Sequence, residues 1–174
     1  MGVLMKKELL LSLMGVLFSA LCVFSQPAEE DRVTTGYGYV FGAPGVGLTF
    51  CGCGNEATVS LGAGAEGLLK GGFGLGIDGG YFFSPSAGAQ YGIGLVSPSA
   101  LYQFKTRGKT NPFVLGGYTL AFRNGTANLV HFGGGINRWL SGHWGLRLEV
   151  RYLMSPEYPR DAGALQFRVG ALIR

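Results

Sequence analysis

Apolar and polar side chains alternate with a period of two along most of the chain. The clearest run is Trp144 to Tyr152, where Trp144, Leu146, Leu148, Val150 and Tyr152 fall on one side of an extended backbone and Gly145, Arg147, Glu149 and Arg151 on the other. Successive side chains leave opposite faces of a pleat, so this period predicts a strand. The same alternation recurs in Gly36–Phe50, Thr58–Leu69, Phe73–Phe83, Gln90–Phe104, Phe113–Phe122, Leu129–Trp139 and Leu165–Ile173. That predicts eight strands. Between them lie turn signals: Lys70-Gly71-Gly72, Ser84–Ala89, Lys105–Pro112, Asn124-Gly125 (a strong hairpin dipeptide), Leu140–His143 and Ser155–Gly163. In two strands the phase of the apolar positions slips. Tyr37, Tyr39 and Phe41 share one parity, Val46, Leu48 and Phe50 the other. Tyr91, Ile93 and Leu95 likewise give way to Ala100, Tyr102 and Phe104. Each slip lies at a proline, Pro44 or Pro98, so a β-bulge is expected at both.

Each apolar face runs for about 9–12 residues, the length with which a tilted strand crosses a bilayer. An even number of antiparallel strands closes with both termini at one end. Closure is required in lipid, because an open edge leaves backbone groups unpaired. The predicted fold is all-β, an eight-stranded antiparallel up-and-down transmembrane β-barrel over residues 36–174. The polar parity carries Glu66, Asp78, His131, Asn137, Arg147, Glu149, Arg151, Gln166 and Arg168, and mid-strand positions of the apolar parity carry no charge. Were the charged face outward, the interior would have to hold Trp144, Tyr152, Tyr118, Phe122, Phe132, Tyr81, Phe83, Tyr102 and Phe104. An eight-stranded barrel lacks that volume. Rings are therefore expected outside and ions within. Tyr81, Phe83, Tyr102, Phe104, Phe122, Trp139, Trp144 and Tyr152 sit near strand ends, as aromatic girdles at two membrane interfaces would.

Composition sharpens this picture. The 32 glycines follow the strand period, which excludes collagen and disfavours helix. The first residues, with Lys6, Lys7 and an apolar run from Leu9 to Phe24, read as a cleavable signal peptide over residues 1–25. Residues 26–35 read as a flexible lead-in. Removing the signal peptide leaves 12 basic and 9 acidic side chains, a net charge of +3 without a basic stripe, so no nucleic-acid partner is expected.

The stretch GGGINRWLSGHWGLRLEVRY, a strand, a tight turn and a strand, resembles a late hairpin of the small Gram-negative outer-membrane barrels, the OmpA-like and OmpX-like group. The likeness extends more loosely over residues 36–174. It implies a location in the outer membrane, contact with outer-membrane lipid and lipopolysaccharide, short periplasmic turns, and loops open to an extracellular partner. A terminal aromatic residue is common in that group; this chain ends Leu172-Ile173-Arg174.

Several motifs invite other chemistry. Gly62–Gly67 and Gly74–Gly79 both fit G-x-G-x-x-G, but a dinucleotide site needs a helix after the glycines and the strand pattern continues here. These glycines are expected to make room in the lumen. Cys51-Gly52-Cys53 could close a small loop disulfide in an exported protein; two thiols alone make a poor zinc site. His131 raises the alternative of an outer-membrane lipid A deacylase, whose His is followed two positions later by Ser; here that position is Gly133. A small-solute pore is the other alternative. The six ions Glu66, Asp78, Arg147, Glu149, Arg151 and Arg168, three of each sign, are expected to compensate one another and plug the barrel. No cofactor or metal is implied, and the expected role is structural or surface interaction.

Overall fold

The structure, a computed structural model, describes residues 33–48, 56–69, 71–104, 108–156 and 163–174. The residues read as a signal peptide, residues 26–32 of the stretch read as a lead-in, and Cys51 and Cys53 lie outside the described residues. Eight strands form: β1 (Val33–Leu48), β2 (Glu56–Leu69), β3 (Phe73–Phe83), β4 (Ile93–Gln103), β5 (Thr110–Phe122), β6 (Thr126–Trp139), β7 (Trp144–Met154) and β8 (Gly163–Ile173). β1 thus begins at Val33, inside the stretch read as a lead-in. Each strand pairs antiparallel with the next, and β8 pairs with β1 to close the barrel.

The pairing register fixes the barrel's shape. From Thr35 it passes through Leu68, Gly74, Leu101, Leu115, Gly133, Arg151 and Gln166, and returns to β1 at Gly45, ten residues further on. With ~3.3 Å per residue and ~4.8 Å between strands, eight strands offset by ten residues tilt by about 41° and close at a radius of about 8 Å. One mouth, the turn end, carries the β2–β3, β4–β5 and β6–β7 connections together with the start of β1 and the end of β8. The other, the loop end, carries the β1–β2, β3–β4, β5–β6 and β7–β8 connections.

Alternation holds through every strand, and the two expected bulges are absent. Pro44 stays opposite Val59 and Pro98 opposite Ile77 in unbroken ladders; among the described pairings the register shifts only between Val33 and Thr35. Both bulges were inferred by assuming that apolar means outward. Tyr37, Tyr39 and Phe41 instead point into the lumen, as does Leu95, so β1 and β4 keep one phase throughout.

Turn chemistry differs from connection to connection. Gly71 and Gly72 both take positive φ (93° and 89°), and the Gly72 N–H donates to Leu69 O at 3.3 Å, a geometry that favours glycine. In the β6–β7 hairpin, Ser141 Oγ accepts from the N–H groups of His143 (3.3 Å) and Trp144 (3.1 Å). The Asn124-Gly125 hairpin forms, but through three residues, with Phe122 opposite Thr126. At the loop end Arg123 holds the β3–β4 connection. It donates to the carbonyls of Tyr91 (2.9 Å) and Gln90 (3.3 Å), and its guanidinium lies 5.3 Å from the Tyr91 ring centre.

The outward surface is apolar and ringed. On β7, Trp144, Leu146, Leu148 and Val150 are between 44% and 57% exposed, while Arg147, Glu149 and Arg151 between them are buried. Outward rings form two bands. Phe73, Tyr102, Phe104 and Trp144 mark the turn end; Tyr81, Phe83, Phe122, Phe132 and Tyr152 mark the loop end. Trp139 departs from the expected girdle. It lies two positions on from the inward Asn137, so strand parity turns it inward, where it meets the Tyr37 ring edge-on at 5.7 Å.

Candidate functional site

The lumen contains the site, and the strand period builds it. On β7, Arg147, Glu149 and Arg151 occupy successive inward positions, ~6.7 Å apart, so one carboxylate sits between two guanidinium groups. Glu149 accepts from Arg147 Nε at 2.8 Å and from Arg151 Nε at 2.6 Å. β2 and β3 lie across the ring from β7, with β8 and β1 intervening. Glu66 on β2 receives Arg147 Nη1 at 3.0 Å; Asp78 on β3 receives Arg151 Nη1 at 2.9 Å and Arg168 Nη1 at 3.3 Å. Arg147 Nη2 and Glu66 Oε1 are a further 2.8 Å ion contact, without hydrogen-bond alignment. All six predicted ions are thus brought into one chain of contacts, none more than 4% exposed. Three positive and three negative charges leave the cluster neutral, as burial this deep favours.

Residues outside the predicted six complete it. Tyr37 donates its hydroxyl to Glu66 at 2.5 Å and accepts from Asn137 Nδ2 at 2.9 Å; Tyr39 donates to Asp78 at 3.4 Å. The Arg147 guanidinium stands 4.1 Å from the ring centre of Phe113 and 4.6 Å from that of Tyr39, and Arg168 stands 4.2 Å from that of Phe41. Each such contact stabilises by ~0.5–2 kcal/mol, more when desolvated. Gln166 links Arg168 Nε (3.2 Å) to Ser60 Oγ (2.8 Å). Sequence reasoning placed rings outside on grounds of volume and so missed these four. The available signal was Tyr37 and Tyr39 at spacing two in a strand whose two faces are both uncharged.

Glycine supplies the missing volume. Phe41 faces Gly62 across the β1–β2 ladder, Tyr39 faces Gly64, and Phe113 faces Gly135. A Cβ on Gly64 would meet the Tyr39 ring at 2.6 Å; one on Gly62 would meet Phe41 Cζ at 2.6 Å and one on Gly135 Phe113 Cζ at 2.9 Å, each besides a nearer backbone carbonyl, of Gly79 and Leu148 respectively. Gly76 stands likewise against Glu66 Cγ at 2.8 Å. The G-x-G-x-x-G glycines that face inward therefore leave space for side chains and for the close approach of the neighbouring strand.

Apolar clusters close both ends of the cluster of ions. Tyr37, Leu68, Leu101, Phe113, Leu115 and Leu172 pack towards the turn end, and Phe82, Leu95, Ala121, Leu129, Leu153 and Ala164 towards the loop end. The void within the second cluster is about 10 Å³, room for at most one water. His131 lies next to this cluster, 2% exposed, with Nδ1 2.8 Å from Thr119 Oγ1, itself 2.9 Å from Ser97 Oγ. It is not brought to the outer rim, where a lipid-modifying group would have to act. Among the described residues no group of His, Cys, Asp and Glu could hold a metal ion.

No family model matches the chain, and no curated protein does. Solved structures do. Neisserial surface protein A superposes with a TM-score of 0.62 at 12% identity, covering 82% of this chain and 99% of that one. Ail, the attachment invasion locus protein of Yersinia pestis, gives 0.59 at 9%, covering 82% and 98%. The outer membrane enzyme PagL gives 0.50 at 17%, covering 78% and 99%. At these identities the likeness is one of fold, and the chain has the fold of the small eight-stranded outer-membrane barrels.

Proposed function

We propose that the chain spans the outer membrane as a sealed barrel with a structural or surface-interaction role. One observation carries this reading: the faces are inverted relative to a water-soluble barrel, with six ions buried in the lumen and Leu, Val and aromatic side chains outside. In water, buried ions and an exposed apolar belt would both be unfavourable; in a bilayer both are the favoured arrangement. The strands, 11–16 residues long, exceed the ~9–11 that a tilted crossing needs. Outer-membrane lipid and lipopolysaccharide are then the partners of the belt, and the loop end is free for an extracellular partner. The connections at the turn end run to three, six and four residues against seven, nine, three and eight at the loop end, and this bias, with the start of β1 at the turn end, supports an orientation with that end towards the periplasm.

The fold does not decide between a binding barrel and an enzyme, since PagL shares it. The burial of His131, with Gly133 two positions on, speaks against the deacylase reading, and the paired ions speak against a pore. Folding into lipid vesicles tests the proposal. Unboiled protein should run at a different gel mobility from boiled protein and resist protease; a chain that stays soluble and monomeric without lipid or detergent overturns it.

A further inference from the structure

We infer that the turn-end mouth of the barrel binds the phosphate of an anionic glycerophospholipid headgroup. The inference rests on the membrane reading above and adds a ligand to it. The mouth contains a cleft of about 440 Å³ between the β4–β5 and β6–β7 connections, lined by Lys109, Asn111, Trp139, Ser141, Gly142 and Arg174 among others. Its walls are tied together by the backbone. Trp139 N–H donates to Lys109 O at 2.7 Å, and Arg174 N–H donates to His143 O at 3.0 Å. Arg174 places its guanidinium 4.8 Å from the centre of the Trp139 ring, which also lines the cleft.

Charge selects the ligand. The described ionisable side chains at this end, Lys109, Arg138, His143 and Arg174, are all basic or neutral. The described side-chain carboxylates are elsewhere: Glu66, Asp78 and Glu149 are spent on lumen arginines, and Glu56 is at the loop end. No described side-chain carboxylate at the turn end neutralises these cations. Arginine presents a fork of donors that matches phosphate, and lysine adds a point charge.

Height selects its source. Phe73, Phe104, Leu140 and Trp144, between 56% and 63% exposed, ring the same end. Such residues seat at the boundary of acyl chain and headgroup, so the cleft lies at the level of lipid phosphates. A lipid could lay its chains along Trp144 and Leu146 and bend its headgroup over the β6–β7 turn. On the periplasmic side that lipid is a phospholipid.

The test uses the full chain folded into vesicles of equimolar phosphatidylethanolamine and phosphatidylglycerol, with retained lipid identified by native mass spectrometry. Phosphatidylglycerol should be retained in preference, and the preference should fall by about fivefold for each cation removed in Lys109→Gln and Arg174→Gln. Arg123→Gln, at the loop end, should leave it unchanged. Should Arg174→Gln fail to fold, Arg174→Lys, which keeps the charge and should keep the preference, and Lys109→Gln, which should lower it, carry the comparison. Equal retention of both lipids by a heat-modifiable barrel overturns the lipid site and leaves the membrane reading standing. So does a preference that the neutral variants at the cleft do not reduce, or one that inorganic phosphate abolishes. A wild-type chain that shows no heat-modifiable folding takes down both.

Discussion

Between Arg147 and Arg151 there is room for one carboxylate on the β7 face, and Glu149 fills it with contacts of 2.8 and 2.6 Å. Glu149→Gln keeps the shape and removes the charge, leaving three guanidinium groups to Glu66 and Asp78. The variant should lose ~3–5 kcal/mol, read from urea unfolding in vesicles, because an uncompensated buried charge remains. Removing a pair together, as Glu149→Leu with Arg151→Met, keeps the lumen neutral and should cost less than the single change. If the double variant is the less stable of the two, charge balance is not what the cluster provides. The glycines permit an equally local comparison within one motif. Gly64→Ala puts a methyl 2.6 Å from the Tyr39 ring and 2.7 Å from Asp78 Cβ, and should cost ~1–3 kcal/mol by overpacking. Gly67→Ala meets nothing within 4 Å, and should be neutral or stabilise by up to ~1 kcal/mol. Matching losses at Gly64 and Gly67 would contradict the space-filling account.

At the scale of the strand, the question is which face meets what. Leu148 is 57% exposed at the middle of β7, between the buried Arg147 and Glu149. Leu148→Arg should destabilise the vesicle-folded barrel by ~2–4 kcal/mol, the cost of a cation at the bilayer midplane. On a water-facing strand the same change would stay within ~0.5 kcal/mol, so unfolding free energies in lipid separate the two environments. Strand legibility tracked charge. In β7 and β8, Arg147, Glu149, Arg151 and Arg168 mark one face as unable to meet lipid, and the facing was readable from the sequence. In β1 and β4 neither face carries a charge, so Tyr37, Phe41 and Leu95 looked like outward residues and two false bulges followed. Which rings turn inward depends on what lies across the ladder: Phe41 opposite Gly62 and Tyr39 opposite Gly64. That pairing is a property of register, which one strand's pattern does not contain. Of the candidate site, the charged members were legible because ions can only be inside. Tyr37, Tyr39, Phe41 and Phe113 were not, because a ring is tolerated on either face.

For the whole molecule, the offset of ten residues around eight strands gives an interior about 8 Å in radius to the backbone, and three layers fill it in series. An apolar layer lies at the loop end, the ions lie in the middle, and rings with leucines lie at the turn end. Layers in series make conductance insensitive to any one of them. Wild-type protein in a planar bilayer should pass no steady current. Phe82→Ala with Leu153→Ala should open the loop-end layer, lower stability by several kcal/mol, and still pass none, since Arg147, Phe113 and Leu172 continue to block the path. Adding Phe113→Ala and Leu172→Ala opens the turn-end layer as well and should still pass no steady current, since the six paired ions remain across the path. A steady current through the wild-type barrel, or through the variant opened at the loop end alone, would mean that the ions and rings part readily in lipid. The sealed, structural reading would then give way to a channel.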